Sequence, residues 1–283
     1  MITEVRAGPY TIRGVSVGGV YTSLHVPELD LLLDVGIPFR SAAGVGTLLL
    51  SHAHADHAGA LASLLGIRAL HGIKRKLRVV MPAEIVATVH DALAAMSELQ
   101  RWPLEIDAVG VEPGDEVALR KDLVVRAFKT FHPVPSLGYQ VLRRVRKLRA
   151  EFVGLPGAEI AARKHAGEAL FDDVEHRELA YATDTLIQVV DHEPSILTSR
   201  VLILEATFLD DRKPIEAARA GCHVHLDEIL ERAERFTGDH LVLMHVSQLY
   251  RPDEVAGILD RRVPPGLRAR IVPFADDRPH WPG

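Results

Sequence analysis

The sequence lacks the features that would place it outside a reducing compartment or inside a membrane. Cys222 is its only cysteine, which excludes intramolecular disulfides. No apolar run approaches the roughly 18 residues of a membrane span. The opening MITEVRAGPYTIRG has no apolar signal core and no cleavage site. Positive charge is not in excess either. The formal net charge of −5 excludes a protein that coats nucleic acid indiscriminately and leaves room only for a local basic surface. Internal repeats and low-complexity tracts are absent too. These absences lead to the expectation of a cytoplasmic protein.

What is present is a core. Apolar residues fill 47% of 283 positions, which argues against disorder, and the length suits one large domain or two small ones. Strand-like segments are YTIRGVSVGGVYTSLHVP, with a hairpin or bulge at Gly18-Gly19, then LDLLLDVG, GTLLLS and LRVVMP. Two more surround the Pro113-Gly114 turn, and GYQVLRRVRKLR, ELAYATD, RVLILEATF and DHLVLMHVS follow. Helical periodicity marks AGALASLLGI, AEIVATVHDALAAMSEL, LDEILERAERF and DEVAGILDRR, with a short helix inside GLPGAEIAARKHAGEALF. Strands with interleaved helices in both halves predict packed sheets with helices outside. His52, His132, Asp184, Glu205 and His245 each stand where an apolar strand ends. Layered folds place their sites at strand ends, so one shared mouth is expected.

The densest chemistry lies in LLLSHAHADHAGAL, where His52, His54, Asp56 and His57 sit between a strand and a helix. In an extended segment side chains alternate, so His52 and His54 point to one side and suit one ion. Asp56 and His57 lie where the chain turns into the helix and face a second point, about 3.5 Å from the first if the site is of the two-metal kind. Imidazole with carboxylate suits zinc, and also iron or manganese. A histidine-rich polar turn is the dull reading. It does not account for the flanking strand and helix, which such motifs require.

From here the residues match a known family. The HxHxDH motif, FHPVPSLGY, YATDT, LILEATFLD, CHVHLDEI and LMHVSQLY occur in the order found in the metallo-β-lactamase superfamily and, within it, the ribonuclease Z family. SVGGVYTSLHVPELDLLLDVG and GLPGAEI resemble its short plant and cyanobacterial-type members. The resemblance spans roughly residues 10–262. It implies an α/β fold, the αβ/βα four-layer sandwich, taken as one domain over 1–283 with a C-terminal tail from about 264. It implies two zinc ions: one on His52, His54 and His132, the other on Asp56, His57 and His245, with Asp184 bridging. Paired cations activate water and stabilise charge on a phosphate. The implied activity is endonucleolytic removal of the 3′ trailer of precursor tRNA, with Asp56 orienting the attacking water or accepting its proton. Glu205 and His223 match the family's proton-shuttle pair, with His225 as the alternative partner. Homodimers are a further family expectation.

The sequence also departs from the family. Leu249 stands where Arg usually precedes the last Tyr of HxSxRY, no PxxxRN-type segment is apparent, and no long Gly/Pro-rich arm lies between Tyr139 and Tyr181. Leu249 and the missing arm favour the first alternative, a small-molecule (for instance cyclic nucleotide) phosphodiesterase on the same scaffold. A metal-retaining binding protein without turnover is opposed by the full ligand set, and lactone or β-lactam hydrolysis by EATF and the His223 motif. Two basic runs, Leu142–Arg149 and Ile73–Arg78, are candidate RNA contacts or solvated strand edges. Ser136 and Ser247 read as phosphate contacts or as local caps. The other histidines read as surface or structural.

Overall fold

The computed structural model describes residues 2–281. The first half of the chain lays down one sheet in strict sequential order: β1 (Thr3–Ala7), β2 (Tyr10–Val17), β3 (Tyr21–Val26), β4 (Leu31–Leu33), β5 (Thr47–Leu49), β6 (Leu77–Pro82) and β7 (Ile106–Val111). The second half repeats the plan with β8 (Glu116–Arg120), β9 (Leu123–Lys129), β10 (Leu137–Leu148), β11 (Phe171–Ala182), β12 (Val201–Glu205), β13 (His240–Met244) and β14 (Ile271–Pro273). In each sheet the first four strands pair antiparallel and the last four parallel. Parallel neighbours need crossovers, and α-helices supply all but the β4–β5 one, which is a loop with a single 3-10 turn at Arg40–Ala42. α1 (Ala55–Ala58), α2 (Leu61–Leu70) and α3 (Val86–Gln100) belong to the first sheet. α4 (Gly157–His165) lies between β10 and β11, and α5 (Val189–His192), α6 (Ile215–Ala220), α7 (Leu226–Leu230), α8 (Pro252–Arg262) and α9 (Pro265–Arg268) follow in the second half.

Three apolar clusters define the layers. Ile12, Leu33, Leu49, Val125, Tyr139, Ile203 and Met244 meet between the sheets. Leu48, Leu50 and Met81 pack outward on Leu61, Leu64 and Leu93 of the first helical layer. Leu202, Leu204 and Leu243 pack outward on Val189, Ile229 and Leu259 of the second. The unbroken leucines of GTLLLS follow from this, since a central parallel strand is buried on both faces. Leu49 faces the inter-sheet core while Leu48 and Leu50 face the helices. The result is the expected four-layer sandwich.

Several local expectations change. The Pro113-Gly114 turn does not join neighbouring strands. It carries the chain from the edge of one sheet to the edge of the other, with Gly114 at φ +99°, a conformation open to glycine without strain. The stretch expected as a tail is part of the second sheet. β14 pairs with β13, the Phe274 amide donates to the Leu243 carbonyl at 2.7 Å, and Trp281 Nε1 donates to the Tyr250 carbonyl at 2.7 Å. Of LDEILERAERF, only Leu226–Leu230 is α-helical. An arm does project between Tyr139 and Tyr181, built as a ribbon rather than a Gly/Pro-rich loop. β9 stops pairing at Arg143, and beyond it β10 and β11 continue as two strands alone to Leu148 and Phe171, with α4 in the connection.

Candidate metal centre

The strand ends converge as expected. His52, His54, Asp56 and His57 follow β5; His132 follows β9, Asp184 follows β11 and His245 follows β13. His54 Nδ1 lies 3.1 Å from both His52 Nε2 and His132 Nε2, and Asp184 Oδ2 lies 3.9 Å from His52 Nε2. The other oxygen of Asp184 faces a second group, with Oδ1 3.2 Å from both His57 Nε2 and His245 Nε2, and Asp56 Oδ2 3.5 Å from His57 Nε2. Two four-residue clusters therefore share one carboxylate, each oxygen turned to a different side.

The surroundings fix which ring nitrogen points inward. His57 Nδ1–H donates to Asp34 Oδ2 at 2.7 Å. The Ser51 hydroxyl donates to Asp34 and accepts from His52 Nδ1 at 2.9 Å. The Thr207 hydroxyl donates to Glu205 and accepts from His245 Nδ1 at 3.0 Å. With Nδ1 protonated and anchored, each Nε2 lone pair is left facing the cluster. His57 Nε2 and His245 Nε2 are buried with no hydrogen-bond partner. Bare acceptors converging beside a buried carboxylate fit a cation, and a ring held by its other nitrogen is how histidine ligands are usually oriented. The electrostatics mark the same point as one that attracts positive charge: burial pushes the His57 imidazole down in pKa, but the charges of Asp184 and Asp34 outweigh it and raise it. Burial and the neighbouring His57 ring push His52 down to about 2.

Asp34 was missed in the sequence. It is fully buried, accepts from Ser51, His57 and the Tyr181 hydroxyl, and stands at the end of β4 in LDLLLDVG. That is the same strand-end signal that marked the other site residues. The backbone carried no such signal. Asp34, Asp184 and His245 all adopt positive φ, at 56°, 43° and 60°. Non-glycine residues there are strained, and such strain concentrates at functional sites. Gly36 passes so close to the metal loop that a Cβ would lie 1.8 Å from the Asp56 carbonyl oxygen, so it holds that loop against β4.

Glu205 is buried at the end of β12 and lies 3.1 Å from His223 Nδ1. Burial lowers the His223 pKa, and the charge and hydrogen bond of Glu205 outweigh it, lifting it to about 9. His223 Nδ1 or Nε2 also comes within reach of His245 and Glu205 as a third cluster. His225 turns elsewhere. It caps α7 by accepting from the Asp227 amide, and its other nitrogen meets the Asp210 carbonyl. Ser136 and Ser247 make local bonds, to Thr130 and to the Leu249 amide. The arginines of the basic run that begins on β10 are paired rather than free. Arg143 pairs with Glu178 and Asp122, Arg144 with Glu116 and Glu175, Arg146 with Asp173 and Arg149 with Asp172.

Comparisons with known proteins follow this geometry. The family described as the beta-lactamase superfamily domain matches residues 29–246. tRNase Z TRZ1 of Arabidopsis thaliana is 36% identical over 264 residues, 93% of this chain and 94% of that protein. The chloroplastic tRNase Z TRZ2 of the same plant is 30% identical over 269 residues, covering 94% and 75%. Human tRNase Z, short form, superposes with a TM-score of 0.58 at 20% identity, covering 88% of this chain and 93% of that one. YhfI of Bacillus subtilis, a metallo-beta-lactamase fold protein, gives 0.61 at 16% identity, covering 96% and 94%. The sandwich is thus the metallo-β-lactamase fold, shared with both solved structures. Within the beta-lactamase superfamily, the chain belongs to the tRNase Z family.

Proposed function

We propose that the protein is a metal-dependent endoribonuclease that cuts precursor tRNA at its 3′ end, leaving a 3′-hydroxyl on the tRNA and a 5′-phosphate on the trailer. The observation that carries this reading is the pairing of 36% identity to tRNase Z TRZ1 over 93% of the chain with two histidine–aspartate clusters that share Asp184 beside Glu205–His223. His52, His54 and His132 would hold one ion and Asp56, His57 and His245 the other, with Asp184 on both, and zinc fits the donor set. When bound, the ions would supply water activation and neutralise charge on the phosphate. Asp56 is only half-buried and orients the attacking water from the open side. Burial raises its carboxyl, and the hydrogen bond and charge of His57 overcome this and hold it below the usual carboxylate range, so it stays ionised and able to accept a hydrogen bond from that water. On the opposite side His223, kept protonated by Glu205, gives its proton to the departing 3′-oxygen as the bond from phosphorus breaks.

The ribbon of β10 and β11 with α4 reaches beyond the sandwich and is suited to contact the tRNA away from the cut. A homodimer is part of the same reading. Leu70, Met96, Leu99 and Trp102, at or near the ends of α2 and α3, account for four of the seven large apolar side chains exposed among the described residues. Patches of that kind mark interaction surfaces. No helix among the described residues is long and apolar enough to cross a membrane. Leu249, exposed where the family usually has Arg, favours the second reading, a phosphodiesterase acting on small diesters. The metal-loaded protein assayed in parallel on a precursor tRNA and on a small aryl phosphodiester decides between them. Cleavage after the discriminator base supports the first; turnover of the aryl ester with no precursor cut at low salt supports the second.

A further inference from the structure

We infer that the ring of Phe208 is the platform on which the base of the last retained nucleotide stacks, with Lys213 beside it for a phosphate of the same strand. The inference rests on the endoribonuclease reading above. If His223 protonates the departing 3′-oxygen, the ribose bearing that oxygen lies at His223, and its base lies one sugar away. Phe208 is the aromatic side chain that meets His223, with ring centroids 6.4 Å apart and the rings at 75°. Its main chain is held at both ends by the segment containing His223: the Phe208 amide donates to the Val224 carbonyl at 3.4 Å, and its carbonyl accepts from the Leu226 amide at 2.8 Å. The ring is therefore fixed in relation to the proton donor.

Phe208 is only partly buried. It packs against the core of the second helical layer, while the Lys213 ammonium stands 5.5 Å from its ring centroid. A half-buried ammonium over phenylalanine is a weak contact, and a stacked base is a stronger one. A base arriving at the ring would displace the ammonium, which needs to move only a short way to meet a backbone phosphate. A rigid aromatic with a mobile cation beside it is the pairing that single-stranded nucleic acids use without strong sequence preference. Phe131 makes a useful contrast. It also has a lysine close by, Lys129 at 5.4 Å, but its ring is met by His192 at 4.8 Å rather than by His223.

Two measurements on the metal-loaded full chain test this. The first uses a precursor tRNA with 5-iodouridine as the last retained nucleotide and a non-hydrolysable methylene phosphonate at the cut. Irradiation should crosslink it to Phe208, as located by peptide mass spectrometry, and a crosslink to Phe131 instead would overturn the inference. The second compares intact precursor with one that is abasic at that nucleotide. Loss of the base should raise KM roughly tenfold in the natural protein, from the ordinary strength of base–aromatic stacking, and less than twofold in Phe208→Leu. A ratio that stays tenfold in the variant sinks the inference while leaving the endoribonuclease reading intact. If Phe208→Leu does not fold, Phe208→Trp serves in its place and should keep or enlarge the ratio; a ratio near one there counts against the inference. A natural protein that turns over aryl diesters but cuts no precursor tRNA removes the reading and the inference together.

Discussion

Asp34 takes no position facing the two clusters, yet it holds the far nitrogen of His57 and, through Ser51, that of His52. Asp34→Asn keeps the size of the side chain and loses its charge. Its expected effect is a metal affinity lower by about 10- to 100-fold, measured by competition with a chromophoric chelator; unchanged affinity would refute the positioning role. Asp184 differs from every other candidate in having one oxygen on each side. Elemental analysis should find two ions in the natural protein, about one in His54→Ala, and a deficit at both sites in Asp184→Ala. A single ion fully retained by Asp184→Ala would defeat the binuclear arrangement. The shuttle separates along similar lines. His223→Ala should lower kcat and kcat/KM together with both ions still bound. His225→Ala should act mainly on stability, by about 0.5–2 kcal/mol, because it removes a helix cap; the reverse pattern would reassign the shuttle. Much of this centre was legible because its ligands are crowded into one motif and repeated at strand ends. The backbone strain at Asp34, Asp184 and His245 was not, since aspartate and histidine, though enriched at positive φ, adopt it in only a small minority of positions.

At the scale of elements, the β10–β11 ribbon shows how a charge run misleads. The arginines of LRRVRKLR are visible as a block, but their partners Glu175, Asp173 and Asp172 lie on the neighbouring strand some 23–31 residues later, and pairing register is not written in composition. Exposed pairs of this kind add little stability, but they cancel the field that would draw in RNA. The triple variant Arg144→Gln, Arg146→Gln and Arg149→Gln should therefore change the salt dependence of precursor binding by less than the three phosphate contacts that free arginines would imply. Replacing residues 149–170 with a short turn should instead raise KM for precursor tRNA far more than KM for an aryl diester. Filter binding over a salt series and steady-state kinetics check the two; a slope reduced by the full three charges would restore the arginines as the grip.

For the molecule as a whole, stability should have an acid edge that does not come from the metal centre. His25 is buried on β3 beside Arg13, and burial first, then the arginine's charge, pull its pKa from 6.5 to about 4. The ring is thus neutral in the fold where the unfolded chain would bind a proton. Its stabilising contribution is complete above pH 6.5 and is lost as pH falls towards about 4. The urea midpoint should drop over that window, and His25→Gln should shrink the drop; an identical drop in the variant would assign it to other groups. The layered architecture itself was legible through strand order and resemblance, whereas the repetition of one strand plan in two halves left no trace in the sequence, because pairing direction is set by connections rather than by residue type. That repetition has a consequence for how the protein is made. His52–His57 leave the ribosome with the first half, but Asp184 and His245 come from the second. A nascent chain carries only part of the histidine–aspartate set, and the two clusters are complete only once β13 has been synthesised and docked. On the two-ion reading proposed above, the ions would therefore be acquired at the end of folding, by the finished sandwich rather than by the growing chain.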